Sequence, residues 1–221
     1  MTLTSGMAGE SIDDFELFYA RRALRILKSR LGHQGLLDLL AKDIDKGNAF
    51  LRECAQASDG AFAGGTIVLS ADGLSSKDFV TWLSKAFADE DVLIAAHPEH
   101  WAFSEQPGSG VNVVETIGSH LSSFYMAGWG AEAPAWAAES DAVLPESKFP
   151  LKMAADLVLG DGTVIGRVLC QFGDTTTGFD TALTVYVPQT CKEVVEQHLR
   201  HFSVEFRNWI VAAAEAHKSP E

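Results

Sequence analysis

Residues 191–217, CKEVVEQHLRHFSVEFRNWIVAAAEAH, decide how this chain is read. At about 100° per residue, Val194, Val195, His198, His201, Phe202, Glu205, Phe206 and Trp209 share one broad sector of a helix. Glu193, Glu196, Arg200, Ser203 and Arg207 take the opposite sector. The spacing therefore predicts a long C-terminal helix that presents an imidazole and a carboxylate, His201 and Glu205, among its core residues. Such groups are costly to bury without a partner. A metal ion gripped by both is one expected compensation, and a structural ion pair between them is the other.

Before that helix, Met153–Leu159 and Thr163–Phe172 flank Gly160-Asp161-Gly162, a hairpin pattern. Thr181–Val187 adds a strand closed by Pro188. Further back, Val111, Val113, Glu115 and Ile117 alternate with Asn112, Val114 and Thr116, so Glu115 falls on the buried face of a strand. Leu121–Trp129 is its expected partner across Gly118–Ser119. Thr66–Ala71 reads as a strand, and Ser75 and Ser76 offer an N-cap to a helix carrying Phe79, Val80, Trp82, Leu83 and Phe87. Val92–Ala96 reads as the start of an extended run continuing through His97-Pro98-Glu99-His100-Trp101. The Ala-, Pro- and acid-rich stretch 131–150 reads as a loop that could close as a lid.

Residues 12–57 repeat Phe15, Phe18, Tyr19, Leu24, Ile26, Leu27, Leu31, Leu36, Leu37, Leu39 and Leu40 at helical intervals, with turns expected at Gly32–Gly35 and a weak point at Gly47. Strands grouped between helices predict α+β. The expected architecture is a helix-grip fold of the Bet v 1/START-like kind, a curved antiparallel sheet around the final helix. Residues 1–60 form an N-terminal helical extension and 61–221 the helix-grip domain. The apolar faces of the extension predict either docking onto that domain or a homodimer.

The 221 residues carry a formal net charge of −13, which disfavours nucleic acid and anionic membranes as partners, and no Lys/Arg cluster rescues a nucleic-acid reading. Cys54, Cys170 and Cys191 are scattered and odd in number, poor material for disulfides or thiolate zinc sites and consistent with a reducing compartment. No stretch reaches the ~20 apolar residues of a membrane span. A cytoplasmic protein is expected.

The candidate ligands are His97 or His100, Glu115, His201 and Glu205. Strand alternation separates the two histidines of HPEH, with His97 facing the side of Trp101 and Phe103, but a bulge beside Pro98 would exchange them. Two imidazoles with two carboxylates suit Zn2+, and also Fe or Mn. His120, His198 and Tyr125 are candidates for proton transfer or hydrogen bonding to a substrate. Trp101, Phe103, Phe124, Trp129 and Trp209 are candidates for a cavity lining.

HPEH on an early strand, an inward Glu115 on the next, and His201-x-x-x-Glu205 on the final helix of a helix-grip domain resemble the phloretin hydrolase and diacetylphloroglucinol hydrolase family. The resemblance covers roughly residues 66 to 215. It implies zinc on His100 (or His97), Glu115, His201 and Glu205, and hydrolysis of a carbon–carbon bond between an acyl group and a phenolic ring. It also implies pocket tyrosines, and this chain has only Tyr19, Tyr125 and Tyr186. The competing expectation is a non-catalytic carrier of hydrophobic or aromatic small molecules.

Overall fold

The structure, a computed structural model, describes residues 11–106, 110–130 and 133–218. Its scaffold is one sheet of seven antiparallel strands in the order β1-β7-β6-β5-β4-β3-β2. The strands are β1 (Phe62–Asp72), β2 (His100–Gln106), β3 (Gly110–Ile117), β4 (His120–Ala127), β5 (Leu151–Val158), β6 (Val164–Asp174) and β7 (Gly178–Pro188). Between β1 and β2 lie helices α2 (Ser76–Ala86) and α3 (Glu90–Ala96), and α5 (Val194–Lys218) ends the chain after β7. The curved sheet holds α5 against its inner face, so the architecture is the helix-grip α+β fold expected from the grouping of strands. No described helix is long and apolar enough to cross a membrane.

Periodicity explains the central elements. The face of β3 with Val113, Glu115 and Ile117 meets that of β4 with Phe124, because Val113 pairs with Phe124 and Ile117 with His120. Val168, Cys170 and Phe172 of β6 join the same core with Phe202, Phe206 and Trp209 of α5. Ser75 caps α2 by accepting from the Asp78 amide.

Four local expectations change. Val92–Ala96 is helical rather than extended, because Asp89 accepts from the amides of Asp91 and Val92 and starts α3. β1 begins at Phe62, four residues before the expected start at Thr66, and runs through Gly64 and Gly65. There Gly65 faces α5, where a Cβ would stand 2.7 Å from Val195.

Helix α1 (Ile12–Ser58) is interrupted at Gly32 (φ 65°, ψ 178°), but it continues through Gly47. Gly47 permits a close approach, since a Cβ there would lie 1.8 Å from the Leu121 carbonyl oxygen. After the break, α1 lies across one end of the sheet: Phe50 stacks on His120, Arg52 pairs with Asp161 at 2.6 Å, and Ser58 bonds Thr190. Leu51 and Cys54 thereby enter the main core. Before the break, Leu17, Phe18, Tyr19, Ile26, Leu27 and Leu31 stay exposed.

The fourth change concerns residues 133–150, which include α4 (Ala135–Glu139). Trp136, Ala137 and Val143 pack on Ala154 and Leu169, a cluster separate from the main core. Those two residues alternate with the inward Ala155, Val168 and Cys170, so the described part of the expected lid covers the outer face of the sheet. Ser140 and Asp141 bond the Tyr186 hydroxyl there at 2.5 and 2.9 Å.

Candidate metal centre

Four side chains from three elements meet between sheet and final helix. His100 comes from the first residue of β2, Glu115 from β3, and His201 and Glu205 from one face of α5. All four are buried, His100 completely. His100 Nε2 lies 3.0 Å from His201 Nε2, 3.6 Å from Glu115 Oε2 and 3.6 Å from Glu205 Oε1. His201 Nε2 lies 3.7 Å from the same Glu115 oxygen.

These separations fit an ion. Donors held about 2.0–2.1 Å from a tetrahedral zinc stand roughly 3.3–3.4 Å apart, and the four observed separations bracket that value.

Hydrogen bonds settle how the histidines of HPEH differ. His100 Nδ1 donates to the Leu93 carbonyl at 2.7 Å. That bond leaves the Nε2 lone pair of the neutral ring aimed at the cluster. His97 Nδ1 accepts from the Glu99 amide at 3.1 Å, which puts the proton of a neutral ring on Nε2. Strand alternation failed to anticipate this arrangement because His97 ends α3 and precedes β2, while the pairing shifts between His100 and Ala102. Both rings therefore converge on α5. His97 stacks on His201 with centroids 3.6 Å apart, and His97, His100 and His201 form a three-nitrogen group within 4.8 Å.

Burial sets the charge state of the cluster's side chains. It pushes the Glu115 carboxyl up to about 8, with Glu99 adding repulsion. Glu205 rises well above the carboxylate range through burial and the proximity of Glu115. Burial lowers His100 to about 3 and His198 to about 4, and it lowers His201 well below the usual imidazole range. Protonated carboxyls beside neutral imidazoles are what desolvation imposes without a cation. A divalent cation reverses the preference of the carboxyls and uses the imidazoles as they stand.

His198 is buried beside this group, its Nε2 3.8 Å from Glu115 Oε1 and its Nδ1 without a partner among the described residues. The structure does not bring His120 or Tyr125 to the cluster. His120 lies on Phe50 at the end covered by α1, with ring centroids 3.7 Å apart. Tyr125 alternates with the cavity residues Phe124 and Met126 and so faces outward.

The cavity beside Glu115, His198 and Glu205 is lined by Phe103, Phe124, Trp129 and Trp209, as expected, and by Phe87 and Cys170, which periodicity alone did not single out. Its volume is only about 30 Å³, room for a water-sized group. Trp101 lies elsewhere, its indole N–H on Thr116 and its ring beneath Lys28. Trp209 contributes a buried indole N–H with no partner among the described residues.

No protein-family model matches the chain, and no curated protein matches it in sequence. Solved structures with some likeness include the di-domain ARO/CYC StfQ from the steffimycin biosynthetic pathway, 11% identical with a TM-score of 0.43 over 76% of this chain and 55% of that one. The chain thus spans about half the length of that protein. An uncharacterized protein from Rhizobium leguminosarum is also 11% identical, with a TM-score of 0.34 over 71% of this chain and 97% of that one. Likenesses this distant carry no argument about the site.

Proposed function

We propose that the chain is a metal-dependent hydrolase, with zinc as the ion and iron or manganese as alternatives, acting on a carbon–carbon bond of an acylated phenol or similar ketone. The observation that carries this reading is the convergence of His100, Glu115, His201 and Glu205 at ion-compatible separations in a buried site. They coincide with the ligand set implied by the resemblance to the phloretin hydrolase family. A divalent ion held by these four residues would supply Lewis acidity toward a carbonyl oxygen.

The chain's own residues have separate tasks. Leu93 fixes the tautomer of His100, and the His97 ring backs His201. Phe103, Phe124 and Trp209 keep bulk water from the carbonyl, and the Trp209 N–H, without a partner among the described residues, is available to the substrate oxygen. The net reaction adds water across the acyl–aryl bond: hydroxyl goes to the acyl carbon and hydrogen to the ring carbon. His198, beside Glu115, is the group placed to move that proton. Entry of a ring into a cavity of about 30 Å³ requires part of its wall to move outward.

A carrier of apolar small molecules is the second reading, favoured by the aromatic cavity wall. Incubating the metal-loaded protein with a panel of acylated phenols distinguishes them. The hydrolase reading expects release of a carboxylic acid, falling at least a hundredfold in His201→Ala. No turnover across the panel would remove the reaction while leaving the metal centre in place.

Assembly belongs to the same proposal, with a second copy of the chain as the partner of the first segment of α1. Leu17, Ala20, Leu24, Leu27 and Leu31 follow the 3-4 spacing of a coiled-coil seam. An antiparallel pairing that sets Leu17 against Leu27 of the second copy also sets Ala20 against Leu24 and brings Glu16 beside Arg30. Charge complementarity therefore favours a second copy.

A further inference from the structure

A second and larger space lies outside the small cavity. A groove of about 790 Å³ runs between the first segment of α1 and the α3–β2 turn, with Phe18, Arg21, Arg25, Lys28, Ile94 and His97 in its wall. Its volume is within the range of small-molecule sites. That wall reaches the candidate metal centre, because His97 is also the ring stacked on His201.

The groove is cationic in a chain of net charge −13. Arg21, Arg22, Arg25, Lys28 and Arg30 fall within ten residues, a cluster that the overall acidity conceals. Four of them line the groove against two carboxylates, Glu90 and Asp91. Glu90 is already engaged by His33 and the Phe103 amide, at 2.7 and 2.9 Å. Lys28 is committed to the carbonyls of Pro98 and His100. Arg21, Arg22 and Arg25 form no ion pair among the described residues, and Arg21 Nε is buried without an acceptor. Arg207 adds a second guanidinium near Arg21. Unpaired cations around a partly apolar groove are the arrangement that an anion with an apolar body satisfies.

We infer that this groove binds an amphipathic organic anion, its carboxylate or phosphate on Arg21 and Arg25 and its apolar body on Phe18, Ile94 and Pro98. Its occupant lies against His97, one ring removed from His201. The inference stands on the groove alone and does not require the metal centre to be catalytic.

Calorimetric titration of the full chain at low salt with 2-naphthoate, 2-naphthyl phosphate and the neutral 2-naphthalenemethanol tests it. At least one anion should bind ten times more tightly than the alcohol. Arg21→Gln with Arg25→Gln should weaken that anion at least tenfold without changing the circular dichroism. Arg25→Glu, at an exposed position, gives the same readout should the double variant misfold. Which anion binds separates carboxylate from phosphate. Binding should survive chelator treatment. Equal binding of the alcohol, indifference to the arginine substitutions, or loss of binding on metal removal would overturn the groove site, the last because it would assign the anion to the metal.

Discussion

At the scale of single residues, the cluster is defined by which imidazole nitrogen is free. His100 has its Nδ1 on a carbonyl and its Nε2 toward His201, whereas His97 spends its Nδ1 on the Glu99 amide. The cost of these groups without a cation predicts a pH signature. In the metal-free protein, Glu115 holds its proton up to about 8 while the unfolded chain loses it near its ordinary value of 4.5, so stability is lost as pH rises across that interval. His100 and His198, depressed to about 3 and 4, act oppositely. The unfolded chain takes up protons below about 6.5 that the folded chain refuses, and stability is lost as pH falls. Zinc removes the first penalty by keeping the carboxylates ionised in the folded state. The difference in melting temperature between zinc-loaded and chelated protein should therefore widen from pH 5 to pH 8. A difference that is constant or narrows would contradict the charge states assigned here. His201, Glu205 and Glu115 were legible in the sequence because each needed only one period, helical or strand. The choice between His97 and His100 was not, because it depended on where α3 stops and on a shift in pairing.

At the scale of elements, the same distinction recurs. The β5–β6 hairpin and α5 follow from local pattern, since turn glycines and amphipathic spacing act within a few residues. The extended reading of 92–96 failed because a seven-residue helix shows too few turns to display a period, and only the Asp89 cap marks it. The break at Gly32 divides α1 into a segment that docks and one that leaves its leucines in water. Burying such a leucine contributes about 2 kcal/mol, so the exposed seam favours association. Sedimentation velocity at about 20 µM should give a dimer. Leu27→Asp and Glu16→Arg should each shift it to monomer, and Arg30→Glu added to Glu16→Arg should restore the dimer. A monomeric wild-type chain would contradict the antiparallel pairing.

At the scale of the whole molecule, the grouping of strands between helices was sufficient to read an α+β helix-grip fold, because a sheet with one apolar face must close on the apolar face of a long helix. What that reading could not supply was the distribution of space. The fold sets a tight apolar cavity on one side of the cluster and a broad basic groove on the other, and the groove depends on how α1 and α3 pack. The buried set His100, Glu115, His201 and Glu205 joins the two sides, and everything proposed for catalysis depends on its holding an ion. Elemental analysis of protein purified without a histidine tag measures this directly. Zinc, or another divalent metal, is expected near one per chain and absent from His201→Ala and Glu205→Ala; a stable, metal-free wild-type protein that takes up no zinc on dialysis would contradict it.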